Sequence, residues 1–133
     1  LINEFGNLKD KKVIFLGVSY RGDVGDTRFT PVETLVNKVI EAGATIKLHD
    51  PFVSFWEEQK CHIESNIQNL LDSKPDLVII STGHSAYKSS EVVLKLLEME
   101  QTYIYDTIGL LNNEQISLLQ EKHEISVLGR GDL

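Results

Sequence analysis

The chain has 133 residues, of which 41% are hydrophobic and 25% are charged, a composition typical of one soluble globular domain and not of a disordered segment. The formal net charge of −7 argues against a general binder of nucleic acid or of anionic membranes, and we expect a cytoplasmic location. The single cysteine, Cys61, cannot form an internal disulfide, and no apolar run reaches the ~18 residues that would cross a bilayer.

Short runs rich in β-branched and aromatic residues alternate with amphipathic stretches along the whole chain. The runs predict five β-strands, at residues 12–16, 45–49, 76–80, 103–105 and 125–128. The amphipathic stretches predict helices at residues 31–42, 64–72, 90–99 and 113–122. This alternation implies right-handed βαβ units. The predicted fold is therefore α/β: a Rossmann-like, doubly wound parallel sheet of about five strands in three α/β/α layers.

The first predicted helix has a well-marked beginning and end. Thr30 is a favourable N-cap, and Pro31 suits the first helical position. Glu33 stands three residues after Thr30, which predicts a capping box between the two side chains and the helix backbone. Gly43 is suited to the left-handed backbone that commonly ends a helix.

The loop after the first strand, residues 16–28, is the leading candidate for a ligand site, because ligands of open α/β sheets bind beyond the carboxyl ends of strands. Its glycines do not have the GxGxxG spacing of a dinucleotide-binding loop. The loop carries Arg21 and Arg28 before a helix N-terminus, a combination that can bind an anion. Surface ion pairs of these arginines with Asp23 and Asp26 are an equally open interpretation.

Polar residues after later strands are weaker candidates. Asp50 stands where a dinucleotide-binding domain has its ribose-binding acid, but without the glycine pattern a turn or cap role before Pro51 is favoured. His84 is a candidate base, yet no Ser/His/Asp or Cys/His spacing supports catalysis, and local hydrogen bonding is favoured. Cys61 and His62 lack further metal ligands, so we predict a structural role for both and no metal site.

The loop residues also carry a specific resemblance. Residues 16–31, LGVSYRGDVGDTRFTP, followed by HDPFV at 49–53, resemble the carboxyl-terminal domain of the UDP-glucose/GDP-mannose dehydrogenase family, which has a pattern close to LGLAYK…DDxRxSP and then YDPxV. STGHSAYK at 81–88 resembles the family's T-x-H-x-x-[FY]-K segment. Asp106-Thr107 resembles a family strand end, and NLKDKKV at 7–13 resembles the leader from its central helix. The resemblance covers nearly the whole chain.

The resemblance implies an NAD-dependent enzyme of polysaccharide biosynthesis. Such an enzyme oxidises the C6 alcohol of a UDP-sugar, of the UDP-glucose or UDP-N-acetylmannosamine type, or of a GDP-sugar, to a carboxylate. An amino-terminal domain would bind most of the NAD, and a central helical region would carry the catalytic cysteine. The complete protein would be a homodimer or a larger oligomer.

The resemblance also implies that this chain is the nucleotide-sugar-binding domain of that enzyme, inactive alone. Residues 1–11 would be the end of a linker from the central region, and residues 12–133 the Rossmann-like domain. The chain opens at Leu1 without an initiator methionine, and we therefore expect it to be a piece of a longer protein.

Site residues carry over by position. Tyr20 and Arg21 match the family's aromatic–lysine pair that contacts the nucleotide sugar, and Arg28 matches the arginine that reaches the NAD phosphates. We expect no catalytic residue in this chain, because Cys61 matches no catalytic position. The chain departs from the family in three places: Arg21 replaces a lysine, Phe29-Thr30 replaces a Glu-Ser pair, and the region of Ile108 lacks an arginine that many members have there.

Two other classes of function stay open at this point. The chain could be a stand-alone nucleotide-binding or protein-interaction module without catalysis. A flavodoxin-like or receiver domain would share the predicted sheet. That class requires an acidic pocket or a flavin-binding loop after the first strand, where this chain has Arg21 and Arg28.

Overall fold

Helices and strands alternate along residues 7–28 and 30–129, which are the residues that the computed structural model describes. In chain order the elements are β1 (Lys12–Leu16), α1 (Val32–Glu41), β2 (Thr45–His49), β3 (Phe55–Trp56), β4 (Cys61–His62), α2 (Ile67–Leu71), β5 (Leu77–Ile80), a 3₁₀ turn (Ser85–Lys88), α3 (Ser90–Glu98), β6 (Tyr103–Asp106), α4 (Asn113–Gln120) and β7 (Glu124–Val127). No helix in this part of the chain has the length and apolar character needed to span a bilayer.

Five strands form one parallel sheet in the order β2-β1-β5-β6-β7, which confirms the predicted sheet. β1 lies between β2 and β5, so the chain moves one way from β1 to β2 and then crosses to the other side. This reversal makes the gap beyond the carboxyl ends of β1 and β5 the switch point of the sheet. β5 is buried at every position, as its continuous apolar sequence predicts.

A hydrophobic core lies on each face of the sheet, and the predicted three layers are confirmed. Helices α2, α3 and α4 cover one face, whose fully buried members include Val78, Ile80, Leu96, Ile104 and Leu119. Helix α1 and the antiparallel β3–β4 hairpin cover the other face, whose members include Phe15, Val36, Trp56, Leu77 and Ile79. The cores therefore fix the sheet from both sides and leave its carboxyl edge to the loops.

The predicted division of the chain into a linker and a domain stays a prediction. Residues 1–6 of that linker, and residues 130–133 at the other end, lie outside the described residues. Leu8, in the described part of the predicted linker, is buried in the core beside α1.

The predicted capping box of α1 is wrong. The Thr30 hydroxyl accepts a hydrogen bond from the Val32 N–H at 3.3 Å, but the Thr30 N–H donates to the Thr27 carbonyl at 3.4 Å. The Glu33 carboxylate accepts instead from Nε2 of Gln59, at 2.9 Å, in the segment that joins β3 to β4. A contact distant in sequence thus takes the side chain that would close the box.

The helix begins at Val32 with Pro31 at the N-cap position, so the predicted placing of Thr30 as N-cap and of Pro31 as first helical residue is one residue too early. The oxygens of Thr30 nevertheless accept from the first N–H groups of α1, those of Val32 and Glu33.

We expect the core of the three-helix face to dominate stability. Leu96 of α3 is fully buried, so Leu96→Ala should lower the free energy of unfolding by about 2–5 kcal/mol through lost burial and a residual cavity. Leu94 lies on the exposed side of the same helix, and Leu94→Ala should change it by less than about 0.5 kcal/mol. Chemical denaturation of the two variants measures the difference, and equal losses would contradict the assigned faces.

Candidate functional site

The loops after β1 and β5 meet at the switch point with almost no space between their backbones. Gly17 has φ +108°, and a Cβ built on it would lie 2.3 Å from Cβ of Thr82. A Cβ on Gly22 would lie 2.1 Å from the carbonyl oxygen of Gly83. Side chains at either position would force the loops apart. These glycines therefore serve contact between two loops of the protein, which is consistent with their lack of dinucleotide-binding spacing.

Asp50, at the end of β2, joins three loops through one buried carboxylate. Its Oδ2 accepts hydrogen bonds from the Val18 N–H at 2.9 Å, the Ser19 N–H at 3.2 Å and the Ser19 hydroxyl at 2.9 Å. The same oxygen lies 2.8 Å from Nε2 of His84, and Oδ1 accepts from the Phe52 N–H at 2.8 Å. The carboxylate thus fixes the beginning of the β1 loop against the ends of β2 and β5.

The hydrogen bonds keep this buried carboxylate ionised. Burial favours its protonated form, but the bonds from His84 and from the N–H groups of Val18 and Phe52 favour the charged form and hold the pKa of Asp50 below its ordinary value. The turn role that the sequence favours is confirmed by the bond from Phe52. The bonds to the β1 loop go beyond that prediction, because their partners lie 31 and 32 residues away in sequence.

His84 is fully buried and links Asp50 to the middle of the β1 loop. Its Nδ1 accepts a hydrogen bond from the Asp23 N–H at 2.9 Å, while Nε2 faces Asp50. Since Nδ1 faces a donor and Nε2 faces a carboxylate, the hydrogen-bond network assigns a neutral ring with its proton on Nε2. The sequence favours a locally bonded histidine, and this is corrected: the partners lie 34 and 61 residues away.

Asp23 fastens the same loop by its side chain. Its carboxylate accepts from the Ser85 N–H at 2.9 Å and from the Ser85 hydroxyl at 2.6 Å. The bond from the Ser85 hydroxyl, followed by that from the Ser85 N–H, lowers the pKa of Asp23. Among the described residues Asp23 forms no ion pair with an arginine, so that part of the surface-pair interpretation is wrong.

Arg28 forms the predicted surface pair with Asp26. Its Nε and Nη2 donate to the two carboxylate oxygens of Asp26 at 3.0 and 2.9 Å, and its backbone N–H donates to Oδ1 at 2.9 Å. These bonds lower the pKa of Asp26 to about 2, and the pair raises the pKa of Arg28. The Arg28 side chain is 75% exposed. The Asp26 carbonyl also accepts from the Tyr20 N–H at 2.6 Å, which closes the loop on itself.

Arg21 differs from Arg28 because it has no such partner. Its side chain is exposed and makes no hydrogen bond or ion pair within residues 7–28 and 30–129, although its charge helps to lower the pKa of Asp26. The neighbouring Tyr20 is 56% exposed, Phe52 is 53% exposed, and Ile108 is 49% exposed beside the β5 loop. The carboxyl edge of the sheet therefore presents, in the described part of the chain, the exposed guanidinium of Arg21 beside exposed aromatic and aliphatic side chains. That combination suits a ligand that has both an anionic group and a flat apolar group.

Tyr87 and His49 form a second buried pair, next to the loop after β5. The Tyr87 hydroxyl donates to Nδ1 of His49 at 2.9 Å, and Nε2 of His49 donates to the Ser65 carbonyl at 3.2 Å. Burial lowers the pKa of His49 and raises the pKa of Tyr87, so both are neutral near pH 7. The Tyr87 ring also packs against the His84 ring, with centroids 5.5 Å apart. No spacing in the sequence predicts this pair.

Cys61 and His62 take part in the hairpin and not in this site. Cys61 is half-buried in β4, and burial raises the pKa of its thiol, which makes it a poor nucleophile. The exposed His62 ring packs edge-on against Phe55, with centroids 5.1 Å apart. In the described part of the chain, no three histidine, cysteine or acidic side chains come together as metal ligands.

The sequence is similar to one family of proteins along most of its length. The family model described as "UDP-glucose/GDP-mannose dehydrogenase family, UDP binding domain" matches residues 14–113. A UDP-N-acetyl-D-mannosamine dehydrogenase of Methanocaldococcus jannaschii is 28% identical over 124 residues, which are 91% of this chain and 27% of that protein. A UDP-glucose 6-dehydrogenase of Drosophila melanogaster is 24% identical, over 84% of this chain and 27% of that protein.

The fold is similar to that of solved dehydrogenase structures. The NDP-N-acetyl-D-galactosaminuronic acid dehydrogenase from Methanosarcina mazei Go1 superposes with a TM-score of 0.79 and 23% identity, over 97% of this chain and 27% of that chain. At this identity the superposition shows a common fold. The chain spans about a quarter of the length of the relatives that it matches.

The buried carboxylate should be sensitive to both substitution and acid. Asp50→Asn replaces several charge-assisted hydrogen bonds by weaker ones and should lower the free energy of unfolding by about 3 kcal/mol at pH 7. Because the folded pKa of Asp50 is lowered, its contribution is present above the unfolded pKa of about 3.9 and is lost as the pH falls through the folded pKa. The difference between wild type and variant should shrink below about pH 4, as denaturation at several pH values would measure.

The matched control for this variant is Asp76→Asn. Asp76 is exposed and accepts one backbone hydrogen bond, from Lys12 at 2.8 Å, which an asparagine oxygen can also accept. We expect a loss below about 1 kcal/mol. A similar loss in both variants would show that burial of Asp50 contributes nothing particular.

The Arg28–Asp26 pair should be visible in a carboxylate titration. Arg28→Ala removes two of the three bonds to Asp26 but keeps the backbone N–H, so the pKa of Asp26 should rise from about 2 and stay below 3.8. NMR detection of the side-chain carboxyl carbon against pH measures it. An unchanged pKa in the variant would mean that the pair does not form in solution.

Proposed function

Because the chain belongs to the UDP-glucose/GDP-mannose dehydrogenase family, we propose that it is the nucleotide-sugar-binding domain of an NAD-dependent UDP-sugar 6-dehydrogenase. The whole enzyme oxidises the C6 alcohol of the sugar to a carboxylate, and this chain alone is inactive. Relatives named for UDP-glucose and for UDP-N-acetyl-D-mannosamine support uridine as the nucleoside, with GDP-sugars as the alternative to test. The complete protein works as a homodimer or a larger oligomer.

The exposed Arg21 carries the proposal. A guanidinium binds phosphate oxygens through two parallel N–H groups, and Arg21 is exposed at the switch point with no hydrogen bond or ion pair among the described residues, only the longer-range attraction of Asp26. Tyr20, next to it, presents an aromatic side chain that is 56% exposed and can contact the nucleoside. Arg21 therefore binds the diphosphate and Tyr20 contacts the nucleotide. The helix N-terminus of α1 has no part, since Thr30 already satisfies its first N–H groups.

NAD does not fit the β1 loop of this chain as its main site. A dinucleotide-binding loop needs glycines open to the pyrophosphate, whereas a Cβ on Gly22 would meet the protein's own backbone. NAD is therefore bound mainly by the part of the enzyme outside this chain, and it supplies the hydride acceptor. Arg28 reaches its phosphates from this side. Its pair with Asp26 uses Nε and Nη2, which leaves Nη1 to donate to a phosphate.

Parallel calorimetric titrations of the 133-residue chain with UDP, GDP and NAD test the proposed function. We expect heat from UDP and none from NAD. Binding of GDP alone would change the nucleoside, and tight binding of NAD alone would overturn the domain assignment. If the longer protein also binds no nucleotide, the domain is an interaction module without a nucleotide site.

Arg21→Ala should weaken UDP binding more than any other loss of one positive charge in the chain. Removing a charge-assisted contact to phosphate costs about 1.5–3 kcal/mol, which is about 10- to 100-fold in the dissociation constant. Lys38→Ala is the control, because Lys38 lies in the last turn of α1, at the opposite edge of the sheet. Arg28→Ala should leave UDP affinity within about 2-fold and raise the KM for NAD in the whole enzyme. Unchanged affinity in Arg21→Ala would remove Arg21 from the site.

A further inference from the structure

Near Arg21 the β1 loop is fastened to the rest of the protein by the His84 ring, in addition to the bonds between the Asp23 carboxylate and Ser85. The Asp23 N–H, two residues after Arg21, donates to Nδ1 of His84 at 2.9 Å. The other side of the ring donates from Nε2 to Asp50 at 2.8 Å. Asp50 in turn holds Ser19, two residues before Arg21, through both its N–H and its hydroxyl. The backbone that carries Arg21 is therefore fixed on both sides by the Asp50–His84 pair.

We propose that His84 is a positioning residue of the nucleotide site. Its Nδ1 holds the backbone of Asp23 and so sets where the Arg21 guanidinium meets the ligand, while the bond from Nε2 to Asp50 fixes the tautomer that leaves Nδ1 free to accept. The inference rests on the proposed function, because it concerns the use of Arg21 as the phosphate-binding group. It assigns to His84 no contact with substrate or cofactor.

The chemistry of the site requires a side chain that donates at one end and accepts at the other. Nε2 must donate to the Asp50 carboxylate, and Nδ1 must accept from a backbone N–H. The rings of Phe52 and Tyr87 pack against His84, with centroids at 5.2 and 5.5 Å, and the side chain is fully buried. Water therefore cannot replace either bond if it is lost, and the loop must shift instead.

Two substitutions at position 84 each keep one of the two hydrogen bonds of His84 and remove the other. In His84→Asn the amide oxygen lies near the place of Nδ1 and can accept from Asp23, but the contact with Asp50 is lost. In His84→Gln the amide nitrogen lies near the place of Nε2 and can donate to Asp50, but the contact with Asp23 is lost. Each variant removes one hydrogen bond and part of a buried ring, so both should lose stability to a similar extent.

UDP affinity, measured on the 133-residue chain, should distinguish the variants although their stabilities are similar. We expect His84→Gln to bind UDP about 10-fold more weakly than wild type, because the Asp23 N–H is no longer held and only the Asp23–Ser85 bonds still fasten this part of the loop. His84→Asn should stay within about 3-fold of wild type. If His84 only contributed to stability, affinity would follow the melting temperature and the two variants would bind alike. Equal affinities, or wild-type affinity in His84→Gln, would overturn the proposal.

NMR gives a readout that does not depend on ligand. The ring ¹⁵N shifts of His84 in the wild-type chain near pH 7 should be those of the neutral Nε2–H form, and the Asp23 amide should be protected from hydrogen exchange in wild type and His84→Asn only. A charged ring or the Nδ1–H form would overturn the proposal. If neither the wild-type chain nor the longer protein binds UDP but these signals are as expected, the proposed function fails while the hold of His84 on the loop stands.

Discussion

The ionised carboxylate of Asp50 is the interaction on which the carboxyl edge of the sheet depends. It is fully buried, and hydrogen bonds from three loops make its charged form stable there. Each of these donors would be left unsatisfied in the interior if the carboxylate were removed, so the loops are positioned by one shared requirement. His84 and the Asp23–Ser85 bonds extend this requirement to the middle of the β1 loop.

This arrangement explains why a Rossmann-like sheet can stand here without a dinucleotide loop. In such a loop the backbone N–H groups point at the ligand, whereas here those of Val18, Ser19 and Asp23 point at Asp50 and His84. The groups that remain for a ligand are the side chains on the rim, of which Arg21 is charged and makes no hydrogen bond or ion pair among the described residues. Under the proposed function, recognition at this edge depends on side-chain chemistry rather than on the backbone.

The sequence predicts the sheet well because apolar periodicity is local, and all five strand predictions overlap strands of the sheet. The predicted capping box at Glu33 is wrong, because the Glu33 carboxylate accepts a hydrogen bond from Gln59, 26 residues away in sequence. The sequence does not decide whether the arginines of the β1 loop form surface ion pairs, since only the structure shows that Arg28 pairs with Asp26. The contact between Asp50 and His84 cannot be predicted from the sequence. Both residues follow strands, but nothing in a single sequence shows that their side chains touch.

The close approach of Gly22 to Gly83 has a consequence for the thermodynamics of binding. Two backbones in contact, tied on either side by Asp50 and His84, have little conformational entropy left to lose. A nucleotide that binds at this rim therefore orders long side chains such as Arg21 while the backbone beneath them is already ordered. Immobilising one such side chain costs about 0.5–1.5 kcal/mol, far less than ordering a loop of this length. The loop is preorganised by its buried hydrogen bonds to Asp50 and His84.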